Sequence, residues 1–256
     1  MTVKISSVGA ILGLMCILIS PCYATSHAYV LSDKGEVWLV SDTLEVHTER
    51  SMLFDGLFQT KVTVCKVIVE RGRLMFNTGS FSDLSQLESE ESTLPLSDFE
   101  TTEKRIEPLL LKYRMVALDS GEPMGWQSAG WVQVSRGVYS GGMVNFQFTR
   151  TAKPGILHEG GDTRPILHLI PGVPQGFGPL VDTMHHKTYY DHELSKRISE
   201  HPRAALLKIL QQEAIENPDS IGPPYTIFLL HKDGTVSDYS KTPVCKIPAD
   251  AARATP

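Results

Sequence analysis

Several kinds of partner are disfavoured by what the chain lacks. Its 24 Lys and Arg against 29 Asp and Glu leave a formal charge of -5, with no basic stretch of the kind that holds nucleic acid. No Walker-type or dinucleotide-binding glycine motif is present, and the only echo of a repeat is a pair of similar turns, DKGEV and KDGTV. His185-His186 and His192-Glu193 bring histidines together, but adjacent helical residues diverge by about 100° and no metal-ligand spacing results. Neither a metal nor an organic cofactor is expected. Cysteine is scarce: of four, Cys16 and Cys22 lie in the first 24 residues, which leaves Cys65 and Cys245 either as a disulfide or as two buried thiols.

The first apolar run is also too short to span a membrane. Lys4 precedes ISSVGAILGLMCILIS, which holds three serines and two glycines and ends at Pro21, whereas a span needs about 20 apolar residues. One cation, a short apolar core and small residues at Cys22 and Ala24 form an export signal, residues 1–24. Cleavage after Ala24 makes Thr25 the first residue of a secreted or periplasmic protein with no stable membrane anchor. Residues 25–256 then suffice for one large domain or two small ones, and the 41% hydrophobic and 21% charged composition of the whole chain is ordinary for a globular protein.

Blocks of strand and helix follow. Residues 28–32 and 36–41 alternate around Asp33-Lys34-Gly35 and predict a hairpin. KVTVCKVIVE, residues 61–70, reads as one strand that turns at Arg71-Gly72 into RLMFNTG. Acidic residues 88–93 read as a solvated loop. Ser97-Asp98-Phe99-Glu100 has the form of a capping box before a helix that Pro108 ends or bends. Residues 131–134 and 143–148 predict paired strands, and within the Gly- and Pro-rich stretch 153–180 only PILHLI reads as strand. Helical spacing returns from Asp191 to Ile215, broken at Pro202, with Leu206, Leu207, Leu210 and Ala214 as the core stripe. YTIFLLH, a Lys232-Asp233-Gly234 turn and TVSDY close the pattern, and the tail after Pro248 is expected to be loose. Such blocks predict an α+β layered domain.

An N-terminal threonine is a self-contained nucleophile, because its hydroxyl attacks while its own amine takes the proton. It needs a cation beside the amine, a carboxylate to hold that cation, and a backbone donor for the oxyanion. The run from Thr25 through DKGEVWLVSD, followed by CKVIVERGRLMFNTGS, resembles the first third of proteasome β-type subunits and their bacterial relatives in the N-terminal nucleophile (Ntn) hydrolase superfamily. ALLKILQQEAIENPD, YTIFLLH and the KDG turn resemble its closing helix and hairpin. The stretch of about 80–202 diverges and matches no motif of the family.

The resemblance implies a four-layer αββα sandwich and a threonine-type amide or peptide hydrolase, with a peptide or small amide as substrate. A homo-oligomer would be compatible with the family. The family roles fall on Thr25 as nucleophile, Lys66 as the tuning cation, Asp42 as its carboxylate, Gly79 as oxyanion donor and Asp219 as an aspartate near the amine. From Thr25, Gly35 is in register but Asp42 comes one residue late. From Ser26, Asp42 is in register and the glycine shifts, so Ser26 is the alternative nucleophile. The other family role is a non-catalytic structural or binding subunit.

Overall fold

The computed structural model describes residues 25–50, 57–79, 124–150, 157–166 and 168–253. In chain order their elements are β1 (His27–Leu31), β2 (Val37–Asp42), β3 (Leu44–Arg50), β4 (Leu57–Thr63), β5 (Val67–Glu70), β6 (Arg73–Gly79), β7 (Met124–Ser135), β8 (Val138–Arg150), β9 (Leu157–Ile166) and β10 (Gln175–Phe177). They continue with α1 (Pro179–Tyr190), α2 (His192–Glu200), α3 (Pro202–Glu216), β11 (Tyr225–Leu230) and β12 (Val236–Asp238). The class is α+β.

Two antiparallel sheets form, in the orders β10-β1-β2-β11-β12 and β5-β6-β7-β8-β9, with β3 and β4 as a separate ribbon. Residues from opposite ends of the chain meet at the centre of the first sheet, where β2 pairs with β11 from Asp42↔Tyr225 to Val37↔Leu230. The β1–β2 hairpin turns at Gly35, whose φ of 68° is in the left-handed region. A Cβ there would come within 2.6 Å of the Lys232 side chain, so the two similar turns stand against each other and this one requires glycine.

The period-two alternation of strands divides the core. Tyr29, Val37, Leu39 and Phe228 of the first sheet meet Val67, Val69, Leu74, Phe76 and Val132 of the second. Ala28, Val30, Val40 and Ile227 face the other way and pack on Val181, Ile198, Leu206, Ile209 and Leu210 of the helices. Each fully buried large apolar side chain stabilises the fold by roughly 1.5–3 kcal/mol. Tyr139 of the second sheet also crosses between the sheets, donating its hydroxyl to the Leu230 carbonyl at 3.1 Å. Among the described residues the layers are therefore helix, sheet and sheet. The helix expected from Ser97 and the acidic loop lie outside the described residues.

Several expectations are corrected. KVTVCKVIVE is two strands, β4 in the ribbon and β5 in the second sheet, with residues 64–66 between them. The interruption has a cause, since Cys65 is bridged to Cys245 and Lys66 turns toward Asp42. Strands β7 and β8 are longer than their apolar segments, because each is paired on both sides along the second sheet. PILHLI is not a strand of its own: β9 ends at Ile166, and residues 168–170 are outside any strand. Helix α1 begins at the very end of the Gly- and Pro-rich stretch and runs through residues 181–190, for which no element is expected, with Pro179 at its start, where a missing N–H costs nothing.

The buried stripe of α3 is Leu206, Ile209, Leu210 and Glu213, one step round from the predicted face. The tail is not loose as far as Arg253. Val236 donates to the Ala251 carbonyl at 2.7 Å and Arg253 to that of Val236 at 2.9 Å. Ala251 is thereby buried against the edge strand, which it covers.

Candidate active site

The two faces of β1 send its first residues to different layers. His27 packs on Phe76 with ring centroids 4.9 Å apart, and Tyr29 on the same ring at 5.7 Å. Thr25 lies two residues before His27, ahead of β1, and is buried. Ser26 faces the helices, where its hydroxyl donates to the Glu213 carboxylate on α3. Thr25, Ser26, Asp42, Lys66 and Glu213 are all buried.

Asp42 ends β2, where the chain turns into β3, and its carboxylate gathers donors from three stretches of chain. Oδ1 accepts the Ser26 N–H at 2.7 Å. Oδ2 accepts the Leu44 N–H at 3.2 Å and Lys66 Nζ at 3.0 Å. Lys66 Nζ also donates to the Leu44 carbonyl. The ladder is completed by the Asp42 N–H, which donates to the Ser26 carbonyl at 3.1 Å. Lys66 and Asp42 therefore form an ion pair with no exposed side-chain surface, set against the peptide that joins Thr25 to Ser26.

Burial governs the titration of this pair. It pushes the Asp42 carboxyl up from 3.8 to about 6, against the Lys66 charge and the Ser26 and Leu44 N–H groups, which act to lower it. Burial also pushes Lys66 below its ordinary range, opposed by the charges of Asp42 and Glu45. Both directions express one cause, the cost of two charges away from water. A lysine shifted this way can exchange a proton with an adjacent amine or hydroxyl more readily than one at its ordinary value.

Glu213 links the cluster to a helix. Its Oε1 accepts the N–H groups of Leu180 and Val181 at 2.9 and 3.2 Å, capping α1 in place of Gly178, which offers no side chain. An anion is well placed at a helix N-terminus. Burial nevertheless raises the carboxyl, opposed by the Ser26 hydroxyl and the Val181 and Leu180 N–H groups. Gly178 has φ 141°, and a Cβ there would fall 2.5 Å from Glu213 and 2.8 Å from Ser26 Oγ. Helix start, glutamate and serine are thus packed as one unit.

The remaining expected positions divide. Gly79 closes β6, three residues beyond Phe76, with its backbone paired to Gln127. Asp219 is not drawn into the buried cluster: its side chain is 80% exposed and meets Lys61 at 3.2 Å, while Lys61 also holds the Pro218 carbonyl at 2.9 Å. Pro218-Asp219 follows the end of α3, where the Asp219 carboxylate faces solvent and Lys61. Cys65 and Cys245 are joined in a disulfide, which pins the chain immediately before Lys66. Glu213 was missed. A glutamate at the i+3 position of the apolar series Leu206, Ile209, Leu210 is the signal that could have found it, since an acid on a buried stripe requires partners.

Compared with known proteins, the chain matches no protein-family model and no curated sequence.

Proposed function

We propose that this chain is an exported Ntn hydrolase of the proteasome β-like class, with the four-layer αββα sandwich, that cleaves an amide or peptide bond through Thr25. The observation that supports this reading is the buried Lys66–Asp42 pair, tied by the Ser26 N–H to the peptide next to Thr25. In the full chain Thr25 is internal and enclosed. Cleavage after Ala24 would turn its amide into an amine, and Lys66 would favour that amine's neutral, proton-accepting form. Thr25 Oγ then adds to the substrate carbonyl as its proton passes to the amine. The C–N bond breaks with that proton given to the leaving nitrogen, and water hydrolyses the resulting ester. The Gly79 amide is assigned to the tetrahedral oxyanion. The reaction so written uses no cofactor.

A second reading is favoured by Ser26 itself, whose N–H meets Asp42 and whose hydroxyl meets Glu213. Cleavage one residue later would give an amine at Asp42 and a hydroxyl at a buried carboxylate. Intact mass and N-terminal sequencing of the exported protein separate the two. A start at Thr25, with fluorogenic peptide-amide hydrolysis abolished in Thr25→Ala, supports the first. A start at Ser26, with loss of activity in Ser26→Ala, supports the second. Any other start overturns both and leaves the structural or binding role.

A further inference from the structure

A different constellation lies at the hairpin end of the first sheet. Ser32 is seven residues from Thr25 in sequence, and at about 3.3 Å per residue the two ends are roughly 20 Å apart. Glu36 stands just before β2, His231 just after β11, and Ser237 in β12. These strands are neighbours in the order β2-β11-β12, so the three side chains arrive at one place.

His231 Nδ1 lies 2.7 Å from Glu36 Oε1, and Nε2 lies 2.9 Å from Ser237 Oγ. An ionised carboxylate only accepts hydrogen bonds, so Nδ1 carries the ring proton. In the neutral imidazole Nε2 is then the acceptor, and the Ser237 hydroxyl donates to it. This is the tautomer and order in which a histidine can remove a serine proton, with a carboxylate fixing the ring. Ser237 and His231 are buried, yet with Glu36 they line a cavity of about 900 Å³.

The same cavity offers an apolar surface and positive charge. Trp38 and Tyr239 pack with centroids 4.9 Å apart, and the Arg203 guanidinium lies 5.4 Å from the Tyr239 ring centroid. Arg253 also lines the space and faces Asp233 at 3.6 Å. Aromatic rings suit a flat or alkyl acyl group, and the guanidinium groups bring charge of the sign a developing oxyanion needs.

We propose that this cavity is a second reactive site, an esterase-type centre in which Ser237 is the nucleophile toward small carboxylic esters and His231 its base. Glu36 positions the imidazole. Ser237 Oγ bonds to the ester carbonyl carbon as its proton moves to His231 Nε2. The C–O bond to the alcohol breaks, and His231 gives the proton to the leaving oxygen. Water then attacks the acyl-serine by the same route, releasing the acid and restoring Ser237. The proposal is independent of Thr25.

The test is covalent labelling of the full chain with an alkyl fluorophosphonate, in which the serine oxygen displaces fluoride, followed by intact mass and peptide mapping. The expected result is an adduct on Ser237, absent in Ser237→Ala. His231→Gln should slow labelling by on the order of a hundredfold or more, and Glu36→Gln by a smaller factor. Far-UV circular dichroism identifies any variant that has lost its fold, and the wild-type map stands without the variants. No adduct, or an adduct only at Thr25, Ser26 or another residue, overturns the proposal. So does a Ser237 adduct whose rate is unchanged in a folded His231→Gln, because the hydrogen-bonded series would then be structural.

Discussion

At the Thr25 end of the first sheet the polar cluster is assembled from four distant stretches of chain, contributing Ser26, Asp42, Lys66 and Glu213. At the hairpin end, His231 and Ser237 are six residues apart on one hairpin, and only Glu36 comes from elsewhere. The first cluster is sealed and contains a fully desolvated ion pair. The second borders a cavity, and its carboxylate keeps 28% of its side-chain surface exposed. A sealed charge pair depends on every partner being present, since loss of one leaves the other buried and unpaired. The partly exposed Glu36 carboxylate, by contrast, can be lost with little effect on folding.

The largest way to break this contrast is at the bridge that holds Lys66 in place. Cys65→Ser should lower stability by about 5 kcal/mol on the chain-entropy model, because the bridge closes a separation of 180 residues. Urea unfolding of the oxidised wild type against the variant measures it. Next, Lys66→Ala should cost about 3–5 kcal/mol by stranding Asp42. The double variant Lys66→Met with Asp42→Asn should cost less than Lys66→Ala. A double variant as unstable as the single one would mean that the stranded charge is not the source.

Glu213→Ala removes the α1 cap and the Ser26 partner together, for about 2 kcal/mol, and hydrogen exchange should quicken first at Leu180 and Val181. A pH series sharpens the electrostatic part. The folded Asp42 carboxyl holds its proton up to about 6, against 3.8 ordinarily, so the folded state binds more protons between those values. Wild-type stability should therefore decline from about pH 4 to about pH 6 relative to Asp42→Asn, read from urea midpoints. The smallest effect is expected at the other end, where Glu36→Gln should change stability by less than about 1 kcal/mol. A loss comparable to that of Lys66→Ala would erase the distinction between the two ends.

The hairpins were legible because their turns are written in local residues: Asp33-Lys34-Gly35 and Lys232-Asp233-Gly234 fix chain reversals whatever surrounds them. Strand continuity was not. The alternation of KVTVCKVIVE does not reveal that Cys65 is tied to Cys245 and that the chain there passes from a ribbon to a sheet. Helix α1 was hidden because its cap is supplied by Glu213, more than thirty residues away. The face of α3 differs by one step because its buried stripe includes Glu213, which an apolar pattern does not mark. In the cluster, Asp42 and Lys66 were paired in sequence only by resemblance to a family, and the structure brings them to 3.0 Å. Asp219 was placed by the same resemblance, and its surroundings, Lys61 and open solvent, differ from it. The Glu36–His231–Ser237 series left no local signature, since its geometry depends on which strands become neighbours.

The Cys65–Cys245 bridge also makes the chain between those residues a covalent ring. A protease that cuts once between residues 66 and 230 opens the ring without releasing a fragment. The piece carrying Thr25 and Asp42 and the piece carrying His231 and Ser237 would migrate together on a non-reducing gel and part only after thiol treatment. Outside a reducing compartment, a single nick thus need not disperse either end of the sheet.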